Sequence, residues 1–220
     1  MSSMRVGTDA VLLGAWAEIK NAKKILEIGT GSGIIALMMA QRNELAQITA
    51  IDIHPESIDE ATGNFAKSAW SQRLNAELIS LQIFKDTNQG LFDHIISNPP
   101  YFSDSTPAPD KSRNQARHTT TLSHQDFFLS CRQLLQTGGK ISLIIPSYDS
   151  KKWMEIALVY NLCPSRITNV ISYPGKTAER VLVELSTSIL PLETSELFIR
   201  KGKGLGYSDE YIKLTEEFYL

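Results

Sequence analysis

A glycine-rich turn that directly follows an apolar strand constrains the fold of this chain more than any other segment. Residues 25–33 read Ile-Leu-Glu-Ile-Gly-Thr-Gly-Ser-Gly, and a helical pattern begins at Ile34. Glycine reaches backbone conformations closed to other residues and lets a ligand approach the main chain closely. A buried strand that turns sharply into a helix is typical of a parallel sheet covered by helices, so this segment predicts an α/β fold.

Strand-like and helical patterns alternate along the rest of the chain. The first half is predicted to contain a helix over 9–19 that Thr8 caps, strands over 24–28 and 48–53, helices over 34–41 and from Pro55 onward, and an extended run over 77–84. The second half is predicted to contain strands over 93–97, 140–145, 167–173 and 180–186, a helix over 123–136 that ends at Gly138 and Gly139, and a helix over 149–160. This order predicts a mostly parallel seven-stranded sheet with an antiparallel edge hairpin and helices on both faces.

Size and composition indicate one globular domain. The chain has 220 residues, of which 42% are hydrophobic, so residues 1–220 are expected to share one core. No apolar run is long enough to span a bilayer and the start lacks a hydrophobic signal core, so we expect a cytoplasmic protein without a membrane partner. Cys131 and Cys163 are too few for a disulfide framework or a zinc site, and no metal is expected. The net charge of -2 neither supports nor excludes a nucleic-acid partner.

The sequence Asn98-Pro99-Pro100-Tyr101 follows an apolar strand and is called here the Asn-Pro-Pro-Tyr corner. Proline has a fixed φ and no N–H, and it favours extended geometry in the residue before it. Carbonyl oxygens of Asn98, Pro99 and Pro100 are therefore predicted to share one small pocket, with the Tyr101 ring available for stacking. Such a pocket suits a planar exocyclic amine, although Pro-Pro also marks ordinary turns.

The glycine spacing departs from the dinucleotide fingerprint, whose last gap is longer. It resembles the first motif of Rossmann-like S-adenosylmethionine-dependent methyltransferases. That resemblance implies that the methionine and ribose parts of S-adenosyl-L-methionine contact Glu27, Gly29, Thr30, Gly31 and Gly33.

The acid that ends the second predicted strand supports the same cofactor. Asp52 lies about twenty residues beyond the glycine turn, where nucleotide-binding folds place a ribose acceptor, and Ile53 is assigned to the same site. Asp52 could instead cap the helix that opens at Pro55. The third strand carries no acid for the adenine amine, so the candidates there are Gln82, through its amide oxygen, and Asp86 from the following loop. Thr8 and Asp9 are either a helix start or part of the cofactor wall.

The Asn-Pro-Pro-Tyr corner resembles that of amino-methyltransferases that act on adenine, guanine or glutamine amides. Residues 4–16 and 115–124 look like blocks of the bacterial family that methylates the adenine 3′-adjacent to the anticodon of a valine tRNA, and the similarity covers nearly the whole chain. It implies that Asn98 and the Pro99 carbonyl accept hydrogen bonds from the target amine and that Tyr101 stacks on the base. Members have a short leader before the first block, so we expect part of the native start to be missing.

Basic residues form two candidate contacts to the tRNA anticodon loop. One group lies in the polar segment after the corner and the other near the C-terminus: Lys111, Arg113, Arg117 and His118, and Arg200, Lys201 and Lys203. Solvated loops also favour such residues. The rival hypotheses are methylation of a protein glutamine, methylation of guanine in ribosomal RNA, and a non-catalytic RNA-binding protein.

Overall fold

The computed structural model describes residues 7–87, 90–99 and 122–218 and has one eight-stranded sheet as its centre. The strand order is β3-β2-β1-β4-β5-β7-β6-β8. The strands are β1 Lys24–Ile28, β2 Gln47–Asp52, β3 Leu74–Leu78, β4 Phe92–Ser97, β5 Leu135–Pro146, β6 Cys163–Ile171, β7 Arg180–Ser186 and β8 Glu193–Phe198.

Helices cover both faces of the sheet. They are α1 Thr8–Trp16, α2 Ile34–Arg42, α3 Pro55–Lys67, α4 Leu81–Thr87, α5 His124–Leu134, α6 Ser150–Val159 and α7 Asp209–Thr215. Buried residues of α1, α2, α3 and α7 form one apolar core, and buried residues of α4, α5 and α6 form the other. Because the central strands are apolar on both faces, they are stable only between two such layers. None of the described helices has the length and apolar character needed to cross a membrane.

The prediction of a mostly parallel α/β sheet between helical layers is confirmed, but the predicted count of seven strands is wrong. The eighth strand, β8, pairs parallel to β6 at the edge of the sheet. The β6–β7 hairpin is therefore internal, and only β7 runs antiparallel to its neighbours. Four of the six β8 residues are exposed, which explains why the sequence carries no apolar signal for this strand.

The extended run predicted over residues 77–84 is wrong. Strand β3 ends at Leu78, and α4 begins at Leu81, so Gln82 lies on a helix. Leu81 and Phe84 are buried while Ile83 is 57% exposed, which is the three-residue spacing of one helix face. The Ser80 hydroxyl accepts from the backbone N–H of Ile83 at 3.3 Å, so a serine cap starts this helix.

Two helix ends also differ from the prediction. Helix α5 ends at Leu134, and Gly138 and Gly139 lie inside β5. Gly138 has φ +78° and β5 changes register against β4 beside Phe92, so these glycines accommodate an irregularity in the strand. At the first helix, Gly7 occupies the N-cap position and Thr8 is already helical, so Thr8 is not the cap.

Candidate active site

The carboxyl ends of three neighbouring strands meet at one place on the sheet edge. Ile28 of β1 lies opposite Ile51 of β2 on one side and Ser97 of β4 on the other. The Ser97 hydroxyl donates to the carbonyl oxygen of Ile28 at 2.8 Å, which fixes the end of β4 against β1. The glycine turn, Asp52 and Asn98 follow directly after these strand ends, so the structure brings the predicted cofactor turn and the predicted amine pocket together.

The glycine turn leaves open space above its backbone. Gly29, Gly31 and Gly33 have φ of +73°, +56° and +82°, a region that favours glycine. A Cβ at Gly29 or Gly31 meets no atom within 4 Å, so a ligand can approach the main chain there. A Cβ at Gly33 meets Phe65 of α3 at 2.5 Å, so Gly33 allows close packing of the turn against α3. Gly29 and Gly31 therefore leave space for a ligand, whereas Gly33 allows close packing against α3.

The Glu27 carboxyl group holds this turn from below. Glu27 is 1% exposed, and its Oε2 accepts from the Thr30 hydroxyl at 2.7 Å and from the Ala36 backbone N–H at 3.1 Å. Its other oxygen, Oε1, is buried and has no hydrogen-bond partner among the described residues. Burial raises the pKa of Glu27 to about 8, although the hydrogen bonds from Thr30 and Ala36 oppose the shift. Thr30 is likewise buried, so both side chains support the turn from inside.

We expect Glu27 to make folding stability pH-dependent. Its pKa rises from 4.5 to about 8 on folding, so between these pH values the folded state keeps a proton that the unfolded chain releases. The free energy of unfolding therefore falls as pH rises through this window, by about 1.4 kcal/mol per pH unit from this group. Glu27→Gln removes this contribution, whereas Glu44→Gln, at a position away from the turn, leaves it in place. Urea unfolding across the window measures the difference, and identical pH profiles for wild type and Glu27→Gln would contradict the expectation.

Asp52 connects the glycine turn to the start of α3. It is 8% exposed, and its Oδ2 accepts from the Gly31 N–H and its Oδ1 from the His54 N–H, both at 3.0 Å. His54 is the N-cap residue of α3 and no side chain caps the helix, so the alternative prediction that Asp52 caps α3 is wrong. The next residue, Ile53, is 52% exposed beside the turn. An exposed aliphatic side chain next to a strand-end acid is available to an apolar ring.

The carboxyl end of β3 is occupied by Ile79 and Ser80 instead of a strand that contains Gln82. The Ile79 N–H donates to the carbonyl oxygen of Asp52 at 3.0 Å, which joins this end to that of β2. Gln82 follows on the first turn of α4 and is half-buried. The sequence analysis did not predict that Ser80 caps α4. The signal for this cap is a serine ahead of two apolar residues spaced by three positions.

Asn98 and Pro99 are half-buried directly after β4. Six further predicted site residues lie outside the described residues, namely Pro100, Tyr101, Lys111, Arg113, Arg117 and His118. The structure therefore describes the first half of the Asn-Pro-Pro-Tyr corner.

Thr8 and Asp9 begin α1, and Asp9 has a partner far away in the sequence. Its Oδ2 accepts from the Arg180 Nε at 2.8 Å. Arg180 opens β7 and lies opposite Pro146, the last residue of β5. This ion pair ties the start of α1 to the carboxyl edge of the sheet, where the site lies.

Arg200, Lys201 and Lys203 lie on a tight turn that follows β8 on the same edge. The Lys201 Nζ pairs with Asp209 at 2.7 Å, and the Arg200 guanidinium lies 4.9 Å from the ring centroid of Tyr207. Four strand positions separate β8 from β4 in the sheet, so the structure does not bring this turn to Asn98. In the described part of the chain, no group of three His, Cys, Asp or Glu side chains could hold a metal ion.

Comparison with known proteins gives a matching family and a solved structure with a similar fold. The family described as the methyltransferase small domain matches residues 5–156. A predicted O-methyltransferase from Agrobacterium tumefaciens has a similar solved structure, with a TM-score of 0.75 and 20% identity over 95% of this chain and 96% of that one.

Two curated relatives are much closer in sequence. Each is named tRNA1(Val) (adenine(37)-N6)-methyltransferase. The protein of Phocaeicola vulgatus is 44% identical over 99% of this chain and 92% of its own length, and that of Vibrio parahaemolyticus is 39% identical over 100% and 90%. With this identity over nearly its whole length, the chain belongs to the tRNA1(Val) (adenine(37)-N6)-methyltransferase family.

Proposed function

We propose that this protein transfers a methyl group from S-adenosyl-L-methionine to the exocyclic N6 amine of the adenine 3′-adjacent to the anticodon of a valine tRNA. The observation that carries the proposal is the meeting of the glycine turn with Asn98 and Pro99 at neighbouring strand ends. The names of the curated relatives supply the substrate. The whole chain, residues 1–220, is proposed to act in the cytoplasm as one domain, and the single sheet between two cores supports the single domain.

The residues around the glycine turn fit S-adenosyl-L-methionine. The open space at Gly29 and Gly31 allows the cofactor to lie against the backbone, and the turn is already fixed by Asp52 and Glu27. We assign Asp52 to the ribose hydroxyls and Ile53 to the adenine face. Gln82, Thr8 and Asp9 remain proposed members of the cofactor wall, with Glu27 and Thr30 supporting it from beneath.

Asn98 and the Pro99 carbonyl are proposed to accept the two hydrogens of the target amine. The lone pair of an adenine amine is delocalised into the ring, so two acceptors favour the pyramidal form in which nitrogen is nucleophilic. The cofactor supplies an electrophilic sulfonium methyl group; nitrogen gains the N–C bond as the C–S bond breaks, and the amine then releases its proton to water. No strong general base is required. Pro100 is assigned to stiffening of the corner and Tyr101 to base stacking.

The basic residues are proposed to bind the tRNA, those that follow the corner around the flipped adenine and those that follow β8 at a distance from it. Loop nucleotides are already partly unstacked, so the cost of exposing the base is small. Lys111, Arg113, Arg117 and His118 follow the corner in sequence, and Arg200, Lys201 and Lys203 lie on the same sheet edge.

Label transfer tests the proposed function. The protein is incubated with methyl-labelled S-adenosyl-L-methionine and total bacterial tRNA, the RNA is digested, and the labelled nucleoside is identified. We expect label in N6-methyladenosine, and a parallel reaction with valine tRNA transcript alone should give the same product. Label on guanosine or on protein would refute the substrate, and no calorimetric binding of the cofactor would refute the enzyme.

A further inference from the structure

Aromatic and basic side chains, all exposed except half-buried Tyr173, continue along the carboxyl edge of the sheet beyond Asn98. We propose that they form a second RNA contact, which binds substrate RNA outside the target nucleotide; the inference rests on the proposed function, because it takes the substrate to be RNA. The group, called here the aromatic–basic edge, consists of Tyr148, Tyr173, Lys176, Arg200, Lys203 and Tyr207.

These residues lie on consecutive turns at one edge of the sheet. Strand pairing runs from β4 through β5, β7 and β6 to β8, so the turns after β5, β6 and β8 follow one another away from Asn98. Backbone hydrogen bonds connect them. The Ser147 N–H donates to the Glu179 carbonyl at 3.1 Å, and the Arg200 N–H donates to the Ser172 carbonyl at 3.0 Å. The three turns of the aromatic–basic edge are therefore adjacent along the sheet edge.

Each turn presents an aromatic ring. Tyr148 is 83% exposed directly after β5, the neighbour of the strand that carries Asn98. On the turn between β6 and β7, the Lys176 Nζ lies 5.7 Å from the ring centroid of Tyr173. Rings and cations placed together stack on bases and attract phosphates, which is the usual composition of a sequence-tolerant RNA surface.

The turn that follows β8 has its aromatic and basic side chains held by contacts within the protein. Tyr207 is 47% exposed, and its ring stacks on buried Tyr211 with centroids 4.9 Å apart. Arg200 lies over the Tyr207 ring and its Nη1 donates to the carbonyl oxygen of Leu205 at 3.2 Å. Because this arrangement exists before any ligand binds, binding costs little side-chain entropy.

The charges of the aromatic–basic edge favour a polyanion. Of the nearby acids, Asp209 pairs with Lys201 and Asp9 with Arg180, while Glu179 accepts a hydrogen bond from the Ser172 hydroxyl. Over the described ranges, Lys176, Arg200 and Lys203 form no ion pair. An acidic protein would match the charge but would not account for a ring on every turn, so the occupant inferred is RNA.

The far end of this surface lies well beyond the target base. Four strand spacings of about 4.8 Å place the β8 turn about 19 Å from the end of β4. A base bound at Asn98 cannot reach that far, so the aromatic–basic edge contacts a different part of the RNA. It should determine RNA affinity and leave cofactor affinity unchanged.

A pair of double variants tests the inference. Lys176→Ala/Lys203→Ala removes two charges from turn tips of the aromatic–basic edge, and Lys23→Ala/Lys24→Ala removes two exposed lysines at the opposite edge, where β1 begins. The probe is unmodified valine tRNA transcript, titrated over a range of salt concentrations. We expect Lys176→Ala/Lys203→Ala to raise the Kd about tenfold and to lower the slope of log K against log salt by about 2, because each lysine neutralises one phosphate.

The matched variant distinguishes a local contact from a general reduction of positive charge. Lys23→Ala/Lys24→Ala has the same net charge and is expected to keep the wild-type Kd and salt slope. Equal values for the two double variants, both folded by thermal melting, would overturn the inference. If wild type methylates adenosine in tRNA while the variants do not differ, this inference alone fails; if wild type neither binds nor methylates tRNA, the proposed function fails with it.

Discussion

Replacing Asn98 with alanine is expected to lower kcat about a hundredfold to a thousandfold while the Kd for S-adenosyl-L-methionine changes little. Asn98 is half-buried directly after β4, next to the glycine turn that follows the neighbouring strand β1. Its proposed hydrogen bond strengthens as the amine becomes pyramidal, so its removal raises the barrier more than it weakens substrate binding. Single-turnover methylation at saturating tRNA and calorimetry with the cofactor measure the two quantities.

The matched control for this prediction is Asn75→Ala. Asn75 is an exposed asparagine on β3 whose Nδ2 donates to Glu77 Oε1 at 2.7 Å, away from the proposed amine pocket. It should keep wild-type kcat. A large drop in cofactor affinity in Asn98→Ala would instead place Asn98 in the cofactor wall, and an unchanged kcat would remove it from the catalytic mechanism.

The alternation of strands and helices could be predicted because the central strands are rich in apolar residues and most of them alternate with amphipathic helical patterns. The predictions of secondary structure are wrong where one local sequence pattern is compatible with both a strand and another structure. Residues after Leu78 are apolar enough to resemble a strand, and only the burial of Leu81 and Phe84 with Ile83 exposed identifies a helix. Strand β8 was missed because an edge strand with one solvated face carries many polar residues.

The site could be predicted only as far as chain order determines it. Glycines after β1, an acid after β2 and a proline corner after β4 must meet at one edge of a parallel sheet. Side-chain direction was not predictable in the same way. Glu27 faces inward beneath the turn, and Asp9 pairs with Arg180, which lies 171 positions away in the sequence. Such long-range contacts leave no local pattern in the sequence.

The second large effect is expected from Asp52→Asn, which should weaken S-adenosyl-L-methionine binding about tenfold to a hundredfold. Each carboxylate oxygen of Asp52 accepts from a different backbone N–H, one on Gly31 and one on His54. An asparagine amide presents its NH₂ group to one of these donors, so one hydrogen bond becomes a repulsive contact. The glycine turn is displaced, and the negatively charged acceptor proposed for the ribose hydroxyls is removed as well.

Asp93→Asn is the control that separates cofactor binding from folding. The Asp93 Oδ2 accepts from the backbone N–H groups of Lys23 and Lys24 at 2.8 Å each and its Oδ1 from the Gln136 side-chain amide, but Asp93 lies at the opposite edge of the sheet. Both variants should lower the thermal midpoint, whereas only Asp52→Asn should raise the Kd for the cofactor. If the two variants lower cofactor affinity equally, the effect of Asp52 comes from general destabilisation. If neither does, Asp52 supports the fold alone and the ribose acceptor lies elsewhere at the carboxyl edge.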